Sequence, residues 1–153
     1  ESDGLVNEHG KIDIESFIRK NYPDIDLRKQ ALPSDVSGEL KKNGSVWIMY
    51  VNTKHPETRQ RFTMSHELGH YVYHRHDSDK FKDYLFFRKE GDKDSTEYKA
   101  DEFASKILMP EKYIRKAIDT KGIVDIDLLA KIFDVSVQAM KIRIKELGYH
   151  LDE

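Results

Sequence analysis

Two histidines four residues apart, with a glutamate beside the first, constrain this chain more than any other feature: His66-Glu67-Leu68-Gly69-His70. On a helix, residues at that spacing lie on one face, one turn apart. Two imidazoles so placed can point at one tetrahedral ion, each nitrogen roughly 2.0–2.1 Å away. Glu67 can then reach a water at that ion without being a ligand itself. The alternative is an ordinary helix that carries two histidines by chance. The surrounding pattern argues against it, because the segment reads as one helix from about Thr58–Thr63 to His74 and an acidic helix follows. The sequence has no cysteine. Disulfides and thiolate sites are therefore excluded, and a metal must be held by His, Asp or Glu.

A catalytic metal needs a third protein ligand and one open position. His74 continues the stripe of His66 and His70, but a straight helix puts His66 and His74 roughly 12 Å apart along its axis. Tyr71-Val72-Tyr73 offers no break after His70, so His74 is expected to pack or to support another residue, and His76 is placed worse. Glu97 is the better candidate. It opens a second helix, and Asp101 follows one turn later on the same face. A metal-binding histidine usually donates its free N–H to such a carboxylate, which fixes tautomer and ring orientation. Asp101 suits that role toward His66 or His70. A competing reading has Glu97 complete a capping box with Asp94. Glu102 is disfavoured as ligand, because Ala100, Ala104 and Ile107 define the buried side and Glu102 faces elsewhere.

The chemistry of such a set is hydrolysis, with zinc preferred on ligand type. Glu67 would take the proton of the attacking water and deliver it to the leaving amine. The strand Val46-Trp47-Ile48-Met49-Tyr50-Val51 is expected to lie along the cleft and hold an extended peptide by strand addition. An oxyanion stabiliser is open among Tyr71, Tyr73, Tyr84 and His76.

Elsewhere the pattern predicts a helix over Asp13–Tyr22 stopped by Pro23, and a segment Val36–Leu40. A hairpin turn follows at Lys42-Asn43-Gly44-Ser45. A possible strand covers Tyr84–Arg88. Asp94 or Ser95 caps a helix over Thr96–Leu108. Another helix runs from Glu111 to Asp119 and closes at Lys121-Gly122. With 38% hydrophobic and 35% charged residues in 153, the chain suits one packed domain with a small appendage. Its longest apolar run, Val46–Val51, is far too short to span a bilayer, and no basic-then-apolar segment opens the chain. The expectation is a cytoplasmic protein.

Together, Arg59–His74 (RQRFTMSHELGHYVYH) and Glu97–Pro110 (EYKADEFASKILMP) resemble the ImmA/IrrE family of metallo-endopeptidases. The resemblance covers roughly residues 12 to 147. It implies zinc on His66, His70 and Glu97, Glu67 as general base, and Arg61-Phe62-Thr63 as the family's lead-in. Where the family often has Asn, this chain has Asp101, an anion. Members of the family cleave a helix-turn-helix repressor encoded beside them, and a partner of that kind is what the resemblance implies.

The last segment reads as two short helices, Asp127–Phe133 and Val137–Leu147, joined at Asp134-Val135-Ser136. This is a helix-turn-helix pattern with Leu129, Ala130, Phe133, Val135, Ala139, Ile142 and Leu147 as its core. Lys141, Arg143 and Lys145 supply some positive charge, but residues 125–153 hold six acids and four bases, and the whole chain carries a net charge of -2. That balance predicts weak, salt-sensitive DNA binding at most. The expected fold class is α+β: a zincin-like metallopeptidase domain over residues 1–120 and a helix-turn-helix-like unit over 121–153. Two rivals stand beside the enzyme reading. One is a non-catalytic antirepressor or toxin–antitoxin-type binding protein with a structural zinc. The other is a transcription factor built on the C-terminal pair.

Overall fold

The computed structural model describes residues 4–84 and 95–151. The chain forms two compact units. One comprises residues 14–104; the other joins residues 1–13 to 105–153. The division falls inside the helix that spans Ser95–Leu108.

The first unit opens with α1 (Ile14–Asn21), which buries Ile14 and Ile18. Strands β1 (Ile25–Gln30), β2 (Val36–Asn43), β3 (Val46–Asn52) and β4 (Lys80–Tyr84) form one sheet in the order β1-β3-β2-β4. β1 runs parallel to β3, β2 runs antiparallel to β3, and β4 is antiparallel to β2. The apolar run becomes β3, an interior strand with Trp47, Ile48, Met49 and Val51 buried. The strand expected along the cleft is thus hydrogen-bonded on both sides and cannot accept a peptide; the sheet's edges are β1 and β4. The β2–β3 hairpin closes through Gly44 and Ser45, with Asn43 paired to Val46. Gly44 has φ +65°, so glycine takes the first central position, as a type II′ turn requires. Buried Asn52 ties the loop before β2 to β3, accepting from Leu32 N–H and donating to the carbonyls of Pro33 and Val36.

Helix α2 (Glu57–His74) follows Pro56 and runs unbroken for 18 residues. It lies against β2, β3 and α1. Eleven of its residues are buried, among them Arg61, Thr63, Ser65, His66, Glu67, His70 and His74. Helix α3 (Ser95–Leu108) buries Ala100, Ala104 and Leu108. The expected strand residues Leu85–Arg88 and the expected cap Asp94 lie outside the described residues.

In the second unit, residues 4–13 carry a small bridge between Val6 and Ile12. The helix expected from Glu111 to Asp119 is a short α4 (Glu111–Arg115) that widens into a π turn over Lys116–Thr120. Helices α5 (Ile126–Phe133) and α6 (Val137–Glu146) meet at Asp134-Val135-Ser136, where Asp134 is left-handed with φ 54°. Leu129, Ala130, Phe133 and Val135 are buried as expected. Ile142 is not: it is 50% exposed, and α6 buries Met140, Arg143 and Ile144 instead. Arg143 Nε donates to the carbonyl of Met109, so this cation is part of the core. No helix among the described residues is long and apolar enough to cross a membrane.

Candidate metal centre

Small residues allow the site to assemble. A Cβ on Gly69 would sit 3.1 Å from Ala100 Cα and 3.3 Å from Phe103 Cβ, so glycine here lets α3 approach α2 closely. That approach carries Glu97 and Asp101, one turn apart on α3, to the histidine face of α2. On the opposite side, a Cβ on Gly38 of β2 would lie 2.6 Å from Thr63 Cγ2 and 3.7 Å from Glu67 Oε2. Glycine there lets α2 settle on the sheet with Glu67 pressed against it.

His66 and His70 have ring centroids 4.6 Å apart. His66 Nε2 lies 3.1 Å from Glu97 Oε1, and His70 Nε2 lies 3.2 Å from Glu97 Oε2. One glutamate thus spans both rings. Their other nitrogens are engaged as well. His66 Nδ1–H donates to Asp101 Oδ1 at 2.7 Å, and His70 Nδ1 is 3.1 Å from His74 Nδ1. Both Nε2 atoms are thereby turned toward Glu97. Phe81 of β4 stacks on His70, with ring centroids 4.5 Å apart and planes 10° from parallel.

Asp83 is the residue that sequence reasoning missed. It sits on β4 two residues after Phe81, and its Oδ1 is 3.2 Å from His66 Nε2. Its neighbours Lys80, Lys82 and Tyr84 are exposed, while Phe81 is partly and Asp83 fully buried. That alternation was the available trace of a half-buried strand. Donor atoms of His66, His70, Asp83 and Glu97 all lie within 4.8 Å of one another, so this cluster could bind a metal.

The electrostatics are those of a crowded, dry site. Burial opposes a charge on His66, but contacts with Asp101, Asp83 and Glu97 outweigh it and hold its pKa well above the usual imidazole range. His70 is raised in the same way by Asp83 and Glu97 against burial. Burial and the charge on His70 lower His74, which suits His70 as the donor in their hydrogen bond. Glu97, despite burial, is lowered by the two histidines. Burial, followed by the neighbouring Asp83 charge, pushes Glu67 well above the ordinary carboxylate. Among the described residues, both Glu67 oxygens, His70 Nε2 and Asp83 Oδ2 are buried without a well-directed hydrogen bond, although His70 Nε2 is 3.2 Å from Glu97 Oε2 and Glu67 lies against Asp83. Unsatisfied buried polar atoms are costly. Two of them, His70 Nε2 and Asp83 Oδ2, belong to residues of the convergent donor cluster, so the residues present suit the metal that their spacing implies.

Glu102 is exposed. Tyr71 is buried against Tyr22 and Trp47, while Tyr73, Tyr84 and His76 are exposed. Arg59, one helical stripe before His66, is a further residue beyond the expected set. Its guanidinium is held down by burial, against the attraction of Asp101 and Asp83, and donates to Ser37 Oγ at 3.2 Å.

A solved structure described as a Mycobacterium tuberculosis transcriptional regulator is similar in fold, with a TM-score of 0.63 and 17% identity. The match covers 89% of this chain and 41% of that one, so this chain spans well under half of its neighbour. No curated protein matches the sequence. The profile of the IrrE N-terminal-like domain, a family of M78 peptidases, matches residues 20–145. With its histidine–carboxylate cluster inside that span, the chain belongs to the IrrE N-terminal-like domain family.

Proposed function

We propose that this chain is a zinc-dependent metallo-endopeptidase of zincin type. In this reading His66, His70 and Glu97 hold the metal, and Glu67 is the general base. The observation that carries it is the Glu67 carboxylate: fully buried, set against Asp83, and raised in pKa beside the histidine pair. A carboxylate kept in that state is disposed to accept a proton near neutral pH.

A bound zinc supplies Lewis acidity and lowers the pKa of water at the site. The protein's residues do the rest. Asp101 fixes the tautomer and orientation of His66, and His74 does so for His70, which leaves each Nε2 free to ligate. Glu67 takes the proton of the attacking water and returns it to the leaving amine. Gly38 allows Glu67 its place beside β2. Among the described residues β4 is an edge of the sheet, and an extended substrate would pair there and not on β3.

The substrate we propose is a cytoplasmic helix-turn-helix repressor. The family resemblance supports this, and so does likeness in fold to a protein described as a transcriptional regulator. Direct DNA binding by α5 and α6 is disfavoured, because Arg143 is buried and the segment is net acidic. The competing reading is a non-catalytic antirepressor. It leaves the cost of burying Glu67 without a purpose.

The test is to mix purified chain with a helix-turn-helix repressor from the same locus and follow fragments by mass spectrometry. Wild type should cut at one or a few sites. Glu67→Gln should retain zinc and partner binding but lose on the order of 10² to 10⁴ in rate. Equal relief of repression by both proteins in cells, with the repressor intact, would sink the enzyme reading.

A further inference from the structure

We propose that Asp83 is a fourth protein ligand, so that the resting metal centre is closed and the Asp83 carboxylate must withdraw before a peptide can be hydrolysed. This rests on the metal-site reading above and extends it.

The distances carry the inference. Ligands 2.0–2.2 Å from a tetrahedral zinc are separated from one another by about 3.3–3.6 Å. The separations between histidine nitrogens and carboxylate oxygens are 3.1 Å (His66–Glu97), 3.2 Å (His70–Glu97), 3.2 Å (His66–Asp83) and 3.7 Å (His70–Asp83). They bracket the edge of one such tetrahedron. Asp83 stands to the two imidazoles much as Glu97 does, with one oxygen toward each ring.

An orienting role for Asp83 fits less well. The outward nitrogen of His66 already has Asp101, and that of His70 has His74. Asp83 instead meets the inward Nε2 atoms, on the side a metal would occupy. Its second oxygen is buried 3.7 Å from His70 Nε2, longer than a hydrogen bond but within the span of two ligands to one ion. Four protein donors make the closed arrangement of structural zinc sites, whereas catalytic sites keep one position for water or substrate. Glu67 lies beside this vertex with no group to take a proton from while Asp83 fills it.

The fold provides a way to open it. Asp83 rides on β4, which among the described residues is an edge strand paired only to β2. Their pairing shifts register between Val36 and Gly38, beside the Asp83 end of the strand. Phe81, on the same face of β4, stacks on His70 and holds the strand over the centre. A small displacement of this edge removes one ligand and leaves the α2 and α3 ligands in place.

The experiment uses the whole chain, stripped of metal and loaded with Co²⁺, whose visible spectrum reports ligand number. Azide is the probe for an open position. The wild-type spectrum should be tetrahedral and indifferent to azide. Asp83→Ala should give a spectrum that shifts on azide addition. Its zinc affinity, measured against a chromophoric chelator, should fall at least about 10-fold, since even outer partners of a ligand contribute 10–100-fold. Asp83→Asn, closer in size, should also weaken zinc and guards against loss of fold in the alanine variant. Wild-type metal that takes up azide as readily as the variants do, with unchanged zinc affinity in both, would overturn the proposal while leaving the three-ligand site intact. Failure of the wild type to bind zinc or cobalt at all would overturn the metal-site reading itself.

Discussion

Helix α2 in the first unit and the α5–α6 pair in the second follow opposite rules. The pair is built as local sequence preferences ask. Asp125 caps α5 by accepting from Asp127 and Leu128 N–H, and Ser136 caps α6 by accepting from Ala139 N–H. Its interior is mainly Leu129, Ala130, Phe133, Met140 and Ile144. Helix α2 has no side-chain cap on its first turn and buries seven polar or charged residues, three of them histidines, against the apolar Met64, Leu68 and Tyr71. Its central turns place Ser65, His66, Glu67 and His70 where a stable fold would place leucine. Where every level of the sequence agrees, a segment is specified for folding; where a helix buries unsatisfied polar atoms, it is specified for a ligand.

Removing the metal ligands should break that contrast most severely. His66→Ala or His70→Ala should abolish tight zinc binding, and Glu97→Ala should come close to it. His74→Ala should keep the metal, because His74 contacts His70 Nδ1 and not the centre. Metal analysis after reconstitution decides this. Retention of zinc by Glu97→Ala together with its loss in His74→Ala would refute the assignment. Glu67→Gln sharpens the comparison from the other side. The variant that loses cleavage should melt, in its metal-free form, at the same temperature as wild type or higher, since it replaces a buried carboxylate by a neutral amide. A clear fall in melting temperature would show that Glu67 supports the fold.

Asp101→Asn tests a smaller effect, an expected loss of about 10- to 100-fold in zinc affinity. Its pH dependence is more telling. Ligation needs both imidazoles neutral. Carboxylate contacts outweigh burial to raise the pKa of His66 and His70, so each holds its proton more firmly than free imidazole. Zinc must displace those protons, and affinity should climb as pH rises through the raised pKa values. Without the Asp101 charge, His66 gives up its proton at lower pH. The variant's deficit should therefore be largest in alkaline buffer and shrink on acidification. A deficit constant across pH would mean that Asp101 acts only through packing.

Much of this arrangement was legible from residue spacing, and the parts that were not share a cause. His66 and His70, or Glu97 and Asp101, are related within one helix, where four residues bring side chains together whatever the rest of the chain does. The hairpin at Asn43-Gly44 is likewise local. Asp83 reaches the histidines through β4 pairing to β2, some forty residues away in sequence, and no local period encodes that register. The same limit placed Val46–Val51 along the cleft, since an apolar run does not say whether a strand lies at an edge or in the interior. In α6 the difficulty was phase. Met140, Ile142 and Ile144 alternate, and Arg143 occupies the core stripe that an apolar residue was expected to fill, so Ile142 read as buried.

The smallest expected effect belongs to the capped pair, and it asks whether the contrast holds energetically. Ser136 Oγ accepts a 3.0 Å hydrogen bond from Ala139 N–H at the start of α6. The side chain is exposed, so Ser136→Ala removes the cap and leaves a donor open to water. Losing such a cap costs about 1 kcal/mol. Ser136→Gly should cost only a few tenths, because glycine is tolerated at that position. Both should leave zinc affinity and cleavage unchanged, since α6 contributes nothing to the ligand set. Chemical denaturation monitored by circular dichroism gives the first comparison, and chelator competition gives the second. A cap variant that weakens zinc binding would mean that the helical pair and the metal helix are energetically one structure, and the distinction between a region specified for folding and one specified for a ligand would fail.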